Sequence, residues 1–302
     1  RKNLMRLLDI LLISLCCIIW GANVPVTRWC IDFVPPVFLV LLRIGSVALL
    51  LIPYLRPFPK QFWLVFLISN CIGGVNFVLL FLALKYANAS SVAIVGQVGL
   101  PIATVLSVIF LKEQVKWRRT IGIILALIGV IIVIYKPSGA KLEIGLFFAC
   151  GSAAAGAIGT ILMKRLIPIG ALHLQAWVSL LSVIPLAIGT YFFEQNQWQG
   201  LMNGGLLLWV AIVFSVIAVS IVGHSAYYSL VKKYDVTLVM PFTLMVPIWA
   251  VIASVIFLNE QVTLQLVLGG LICLAGVGLI AMRQNKSLGK EGLATTRETL
   301  GL

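Results

Sequence analysis

The chain alternates long apolar runs with short polar gaps. Ten runs stand out: Leu8–Trp29, Val34–Tyr54, Phe62–Lys85, Ala89–Leu111, Thr120–Tyr135, Leu142–Arg165, Leu172–Phe193, Leu206–Val231, Val236–Leu258 and Leu264–Met282. As a helix, Leu8–Trp29 covers about 33 Å, enough for a hydrocarbon core of about 30 Å. No segment shows the short alternating pattern of a strand barrel. Helices also satisfy their own backbone polar groups, which lipid cannot do. The pattern therefore predicts an all-α integral membrane protein of ten transmembrane helices. Gaps of a few residues make neighbouring helices antiparallel. Residues 284–302 are polar and aperiodic and are expected to form a disordered tail.

The runs repeat. Ser107–Val115 reads SVIFLKEQV and Ser254–Val262 reads SVIFLNEQV, 147 positions apart. At the same offset Gly122 matches Gly269 and Gly129 matches Gly276; Lys85-Tyr86 matches Lys233-Tyr234 at 148. The chain thus divides into two five-helix halves, residues 8–136 and 142–283. Five is odd, so the second half enters the membrane from the opposite side. Inverted repeats of this kind underlie alternating access, with substrate held near the midplane. The expectation is a small-molecule carrier.

Composition sharpens this picture. Of 302 residues 61% are hydrophobic and 10% charged, with a mean hydropathy of +1.11. A soluble domain carries roughly 25% charged residues. The net charge of +13 comes from residues in the gaps, which suits topology signals and anionic lipid, and no nucleic-acid partner is expected. Of 22 Lys and Arg, 17 fall on the side of the N-terminus and four on the other (Arg28, Lys85, Lys136, Lys141). Both termini are therefore expected in the cytoplasm. Arg43 lies in the middle of an apolar run, where it is expected to anchor the structure, its stem snorkelling towards an interface. The six cysteines lack ligand spacing and read as small core residues. The first run is long enough to span and has no cleavage pattern after it, so it does not read as a signal peptide.

The chain resembles the drug/metabolite transporter superfamily, in particular proteins with two EamA-type domains, over residues 8–283. The resemblance rests on Trp20-Gly21-Ala22-Asn23, on Pro35-Pro36 followed by Arg43, on Pro101, and on the FLKEQV and FLNEQV helix ends. Within that group it is similar to bacterial aromatic-amino-acid exporters. The resemblance implies export of small amphipathic metabolites, amino acids foremost, across a bacterial plasma membrane by a monomer without cofactor or metal. Another metabolite or drug class, or a passive channel, stays open. An enzyme is not expected: there are two histidines, His173 and His224, and no nucleophile–base or paired-carboxylate motif.

Polar groups in lipid are costly and face a cavity or another helix. Trp20, Asn23 and Thr27 share one face of the first helix, and Asn76 matches His224 at the repeat offset. The expected substrate-binding set is Trp20, Asn23, Asn76, Phe77, Gln97, Pro101, His224, Tyr228, Met245 and Trp249. Aromatic walls would stack on the substrate and a few polar groups would orient it. Pro25, Pro101, Pro185, Pro241 and Pro247 would bend their helices, a possible basis for gates. Gly122, Gly129, Gly269 and Gly276 would pack helices five and ten closely, away from substrate. Glu113 and Glu260 read as interfacial charges. All nine carboxylates lie at helix ends, in loops or in the tail, which favours facilitated diffusion with His224 as a binding group.

Overall fold

The computed structural model of the protein describes residues 5–111, 117–135, 144–167, 169–234, 239 and 242–281. The expected tail, Glu113 and Pro241 lie outside them. Every regular element among the described residues is helical. Seven helices are long and apolar enough to cross a membrane: α1 (Leu7–Ile31), α3 (Phe62–Tyr86), α4 (Ala89–Phe110), α6 (Ile144–Met163), α7 (Ala171–Phe193), α8 (Gly205–Tyr227) and α10 (Leu264–Ala281). Three shorter apolar helices complete the bundle: α2 (Pro36–Leu50), α5 (Trp117–Ile134) and α9 (Met245–Leu258). The helix of α8 continues to Lys233. Large apolar side chains such as Trp63, Phe193 and Leu206 are exposed on the outside, as lipid-facing residues are.

The long apolar runs and the helices agree closely, while the run Val236–Leu258 is a continuous described helix only over Met245–Leu258 and most of its earlier residues lie outside the described ones. The run Val34–Tyr54 is a helix only over Pro36–Leu50, followed by a 3₁₀ turn over Ile52–Leu55. Pro53 has no N–H to continue an α-helix. Pro101 acts similarly on α4. Its missing N–H leaves Gln97 without its α-helical donor, and the helix tightens into a 3₁₀ step at Gly96–Val98.

Two helices widen instead. In α3 the segment Asn70–Val75 is π-helical, and in α8 so is Ser215–Gly223. The first α-helical residue after each is Asn76 and His224, 148 positions apart. The two widenings thus fall at corresponding points of the sequence repeat. Carbonyls at their starts accept from side chains: the Ser182 hydroxyl donates at 3.2 Å to O of Ser69, the residue before the first segment, and the Ser220 hydroxyl at 3.0 Å to Ser215 O, the first carbonyl of the second.

The two repeating stretches interleave. α1 packs on α9, α3 on α6, α2 on α7 and α4 on both α6 and α9. At Gly21 an added Cβ would lie 2.5 Å from Trp249 Cβ and 2.8 Å from Val246 O, so the glycine of the Trp-Gly-Ala-Asn motif sets the α1–α9 approach. The glycine faces of α5 and α10 meet each other. A Cβ on Gly129 would lie 2.5 Å from Gly269 O, and one on Gly122 2.8 Å from Gly276 O. These glycines contact helix backbone, as close packing requires.

Candidate functional site

Two neighbouring groups of polar residues inside the bundle are joined by Arg43. The first lies between α1, α8 and α9. The Trp20 ring sits 5.3 Å from the His224 ring and 5.6 Å from that of Tyr227. Its Nε1 donates to Val219 O at 3.3 Å, one of the carbonyls of the widened segment. Gly223 leaves the space for this approach, since a Cβ there would lie 2.6 Å from Trp20 Nε1. His224 Nδ1 lies 3.1 Å from Val219 O and 3.0 Å from Ser220 O. One turn along α1, Asn23 is buried and its Oδ1 accepts from the Ser215 hydroxyl at 2.6 Å. Met245 and Trp249 pack with Tyr227 around Ile13, Cys17 and Leu230. Trp249 Nε1 is buried without a hydrogen-bond partner among the described residues.

The second group lies between α3 and α6. The Asn76 amide donates to Ser152 O at 2.7 Å and lies 3.2 Å from Ser152 Oγ, while the Ser152 hydroxyl donates to Asn76 O at 2.9 Å. Asn76 and His224, equivalent by repeat, thus turn to different partners: Asn76 to α6, His224 to Trp20 of α1. Gln97 and Pro101 stand apart on α4, near the point where Gly99 approaches Ala153 of α6. The side chain of Tyr228 lies outside the described residues.

Arg43 connects the groups. It is only 7% exposed, on the middle of α2. Its Nε and Nη2 both donate to Ser220 Oγ at 3.2 Å, and its guanidinium lies 5.3 Å from the Phe77 ring centre. The side chain points into the bundle, which corrects the expectation of a stem snorkelling towards an interface. Nothing in the apolar pattern of α2 signals its direction; the partner, Ser220, is 177 residues away. Ser152, Ser215 and Ser220, absent from the expected set, hold the polar network. Their only trace in the sequence is a hydroxyl in an apolar run.

Carboxylates work at the ends of the bundle. Pro36 opens α2 without an N–H, and the next two amides, Val37 and Phe38, donate to the two oxygens of Glu194 at 2.7 and 2.8 Å. In the same manner Ala89 N and Ser90 N donate to the two oxygens of Glu260 at 2.7 and 3.0 Å, and the Ser90 hydroxyl joins them. Glu260 follows Asn259, whose left-handed φ of 52° ends α9 and turns the chain towards α4. Each carboxylate caps a helix from the other half, where free amides and the helix dipole favour negative charge. At the opposite end Asp9 accepts from Lys233 Nζ at 2.6 Å and from the Tyr234 hydroxyl at 2.5 Å. That hydrogen bond and charge hold the Lys233 ammonium above its ordinary pKa.

Larger cavities open at both ends. One of about 360 Å³ lies between Tyr54, Leu172, His173 and Ser225. One of about 490 Å³ lies between Pro35, Lys85, Glu194 and Asn203. Between them, beside Arg43, Thr27, Cys30 and Ser215, is a void with room for about one water molecule.

Comparison with known proteins adds the following. The model of the EamA-like transporter family matches residues 7–135 and 143–282. The uncharacterized transporter YvbV of Bacillus subtilis is 27% identical over 92% of this chain and 93% of its own. A probable amino-acid metabolite efflux pump of Salmonella typhimurium is 24% identical over 86% and 90%. One so described from Escherichia coli is 22% identical over 93% and 97%. One solved crystal structure shares the fold at a TM-score of 0.61 and 18% identity, over 92% of this chain and 97% of that one.

Proposed function

The chain belongs to the EamA-like transporter family, and from that premise we propose that it exports small amphipathic metabolites, amino acids foremost, by alternating access. It is a multi-pass membrane transporter; the cargo, the direction and the mechanism are our reading. In that reading all ten helices span a bacterial plasma membrane, as two inverted five-helix repeats. The observation that carries it is the pairing of α3 with α8. Both widen into a π-helix, and the widenings end at Asn76 and His224, 148 positions apart. π-segments inside α-helices cluster at functional sites. Two of them at equivalent points of a repeat suit a carrier whose halves exchange conformations. Two relatives described as amino-acid metabolite efflux pumps support the cargo class, at 24% and 22% identity. Trp20, Phe77 and Trp249 supply aromatic surface for such cargo, and Asn23, Asn76, Gln97 and His224 supply polar contacts.

Radiolabelled amino-acid counterflow in liposomes tests this, with and without imposed proton or sodium gradients. Saturable exchange without a gradient is expected. Single-channel currents would favour a channel, concentrative uptake on either gradient would end the facilitator reading, and absence of flux across a broad panel would count against the carrier.

A further inference from the structure

Arg43 is a permanent cation in the middle of an apolar bundle, because a guanidinium does not lose its proton in proteins. A charge in that setting needs a counter-charge or a dense set of acceptors. Among the described residues it has neither. Two of its N–H groups share one hydroxyl, Ser220 Oγ, and its plane lies near the Phe77 ring. Ser220 cannot balance the charge: it is neutral, and its own proton goes to Ser215 O. No carboxylate pairs with Arg43 among the described residues; the two ion pairs there are Arg28–Asp32 and Lys233–Asp9. Arg43 also borders the small void that Thr27 and Ser215 share with Leu39, Phe81 and Ile212.

We propose that Arg43 binds the carboxylate of the transported molecule. The inference rests on the carrier reading above and narrows its cargo to amphipathic carboxylates, amino acids among them. The planar fork of a guanidinium matches the two oxygens of a carboxylate, and such pairs are the strong members of the hydrogen-bond class. The void holds about one water in this conformation, so the carboxylate arrives as α2 and α8 separate. It then replaces Ser220 as the acceptor, and the Phe77 ring beneath Arg43 offers its face to the apolar body of the cargo. Closing α2 onto the π-helical segment of α8 restores the Arg43–Ser220 contact after release. The cargo's negative charge thereby supplies the counter-ion that the chain lacks.

The test is counterflow by the full-length protein in liposomes, using matched pairs: phenylalanine and phenethylamine, leucine and isoamylamine, with phenylacetate as a carboxylate lacking the amine. The wild type is expected to exchange the carboxylates and to discriminate against the amines by about tenfold or more, the scale of one charged hydrogen-bonded contact. Arg43→Gln is expected to lose carboxylate exchange by a similar factor, and Arg43→Lys to keep the preference at reduced rate. Amines exchanged as well as acids by the wild type would overturn the proposal while leaving a carrier. Carboxylate exchange by Arg43→Gln within twofold of wild type would overturn it too. No exchange of any probe would remove the carrier reading, and this inference with it. If Arg43→Gln does not elute as a folded protein, the wild-type preference and Arg43→Lys decide.

Discussion

At the scale of single residues, the interior chemistry turns on contacts that sequence spacing did not display. Gly223 makes room for Trp20, whose indole N–H donates to the Val219 carbonyl 199 residues away in the chain. Gly223→Ala would place a Cβ 2.6 Å from Trp20 Nε1. The ring must then move off Val219 and away from His224. Overpacking of this sort costs about 1–3 kcal/mol, so a lower melting temperature in detergent is expected, together with reduced counterflow. An unchanged melting temperature would mean that the ring is not held as described. Trp20, Asn23, Asn76 and His224 were legible as interior polar groups because a polar residue in a long apolar run has few places to go. Their partners were not. A run of apolar letters with a serine in it does not say that Ser152 meets Asn76, or that Ser220 meets Arg43. For Arg43 the general tendency of long basic chains to reach the interface pointed the wrong way.

At the scale of elements, the seven long apolar helices were legible to within a few residues, because length and apolarity suffice to define a lipid-spanning segment. The shorter ones departed from their runs: Pro53 ends α2 early, and α9 begins only at Met245. The π-helical segments of α3 and α8 were not legible: their apolar pattern continues through the widening, and a donor to their carbonyls, the Trp20 indole N–H on Val219 O, comes from a distant helix. The repeated helix-end motif was visible, but its purpose was not. Glu260 is an end-capping group for α4, supplied from the end of α9 through a left-handed Asn259. Glu260→Ala leaves the Ala89 and Ser90 amides without that acceptor. Removing a helix cap costs about 0.5–2 kcal/mol, so the melting temperature is expected to fall. Glu260→Gln keeps an acceptor and should fall less. Equal losses in the two variants would show that the contact is charge alone, and no loss in either would show that water replaces it.

At the scale of the whole molecule, the ends of the bundle carry different charge. The contacts fix which segments share an end. Asp9 meets Lys233, Trp177 Nε1 donates to Leu55 O, Gln61 accepts from Ile167 N and Arg165 donates to Phe110 O. That end therefore gathers Arg6, Arg56, Lys60, Lys164, Arg165 and Lys233. The opposite end, where Glu194 and Glu260 cap α2 and α4, holds Arg28 and Lys85 among its described residues. The three-dimensional arrangement thus groups the basic residues as the count along the chain did, and positive residues are retained on the cytoplasmic side during insertion. The end with Arg165 and Lys233 is expected to be cytoplasmic, and so are both termini. Single-cysteine labelling at Ser287 is the direct measurement, in a background where the six native cysteines, four buried and two half-buried, are replaced. A membrane-impermeant maleimide should label Ser287→Cys only after the cells are opened. Labelling from outside intact cells would invert the molecule, place the Glu194 and Glu260 caps in the cytoplasm, and show that the charge bias does not set the orientation here.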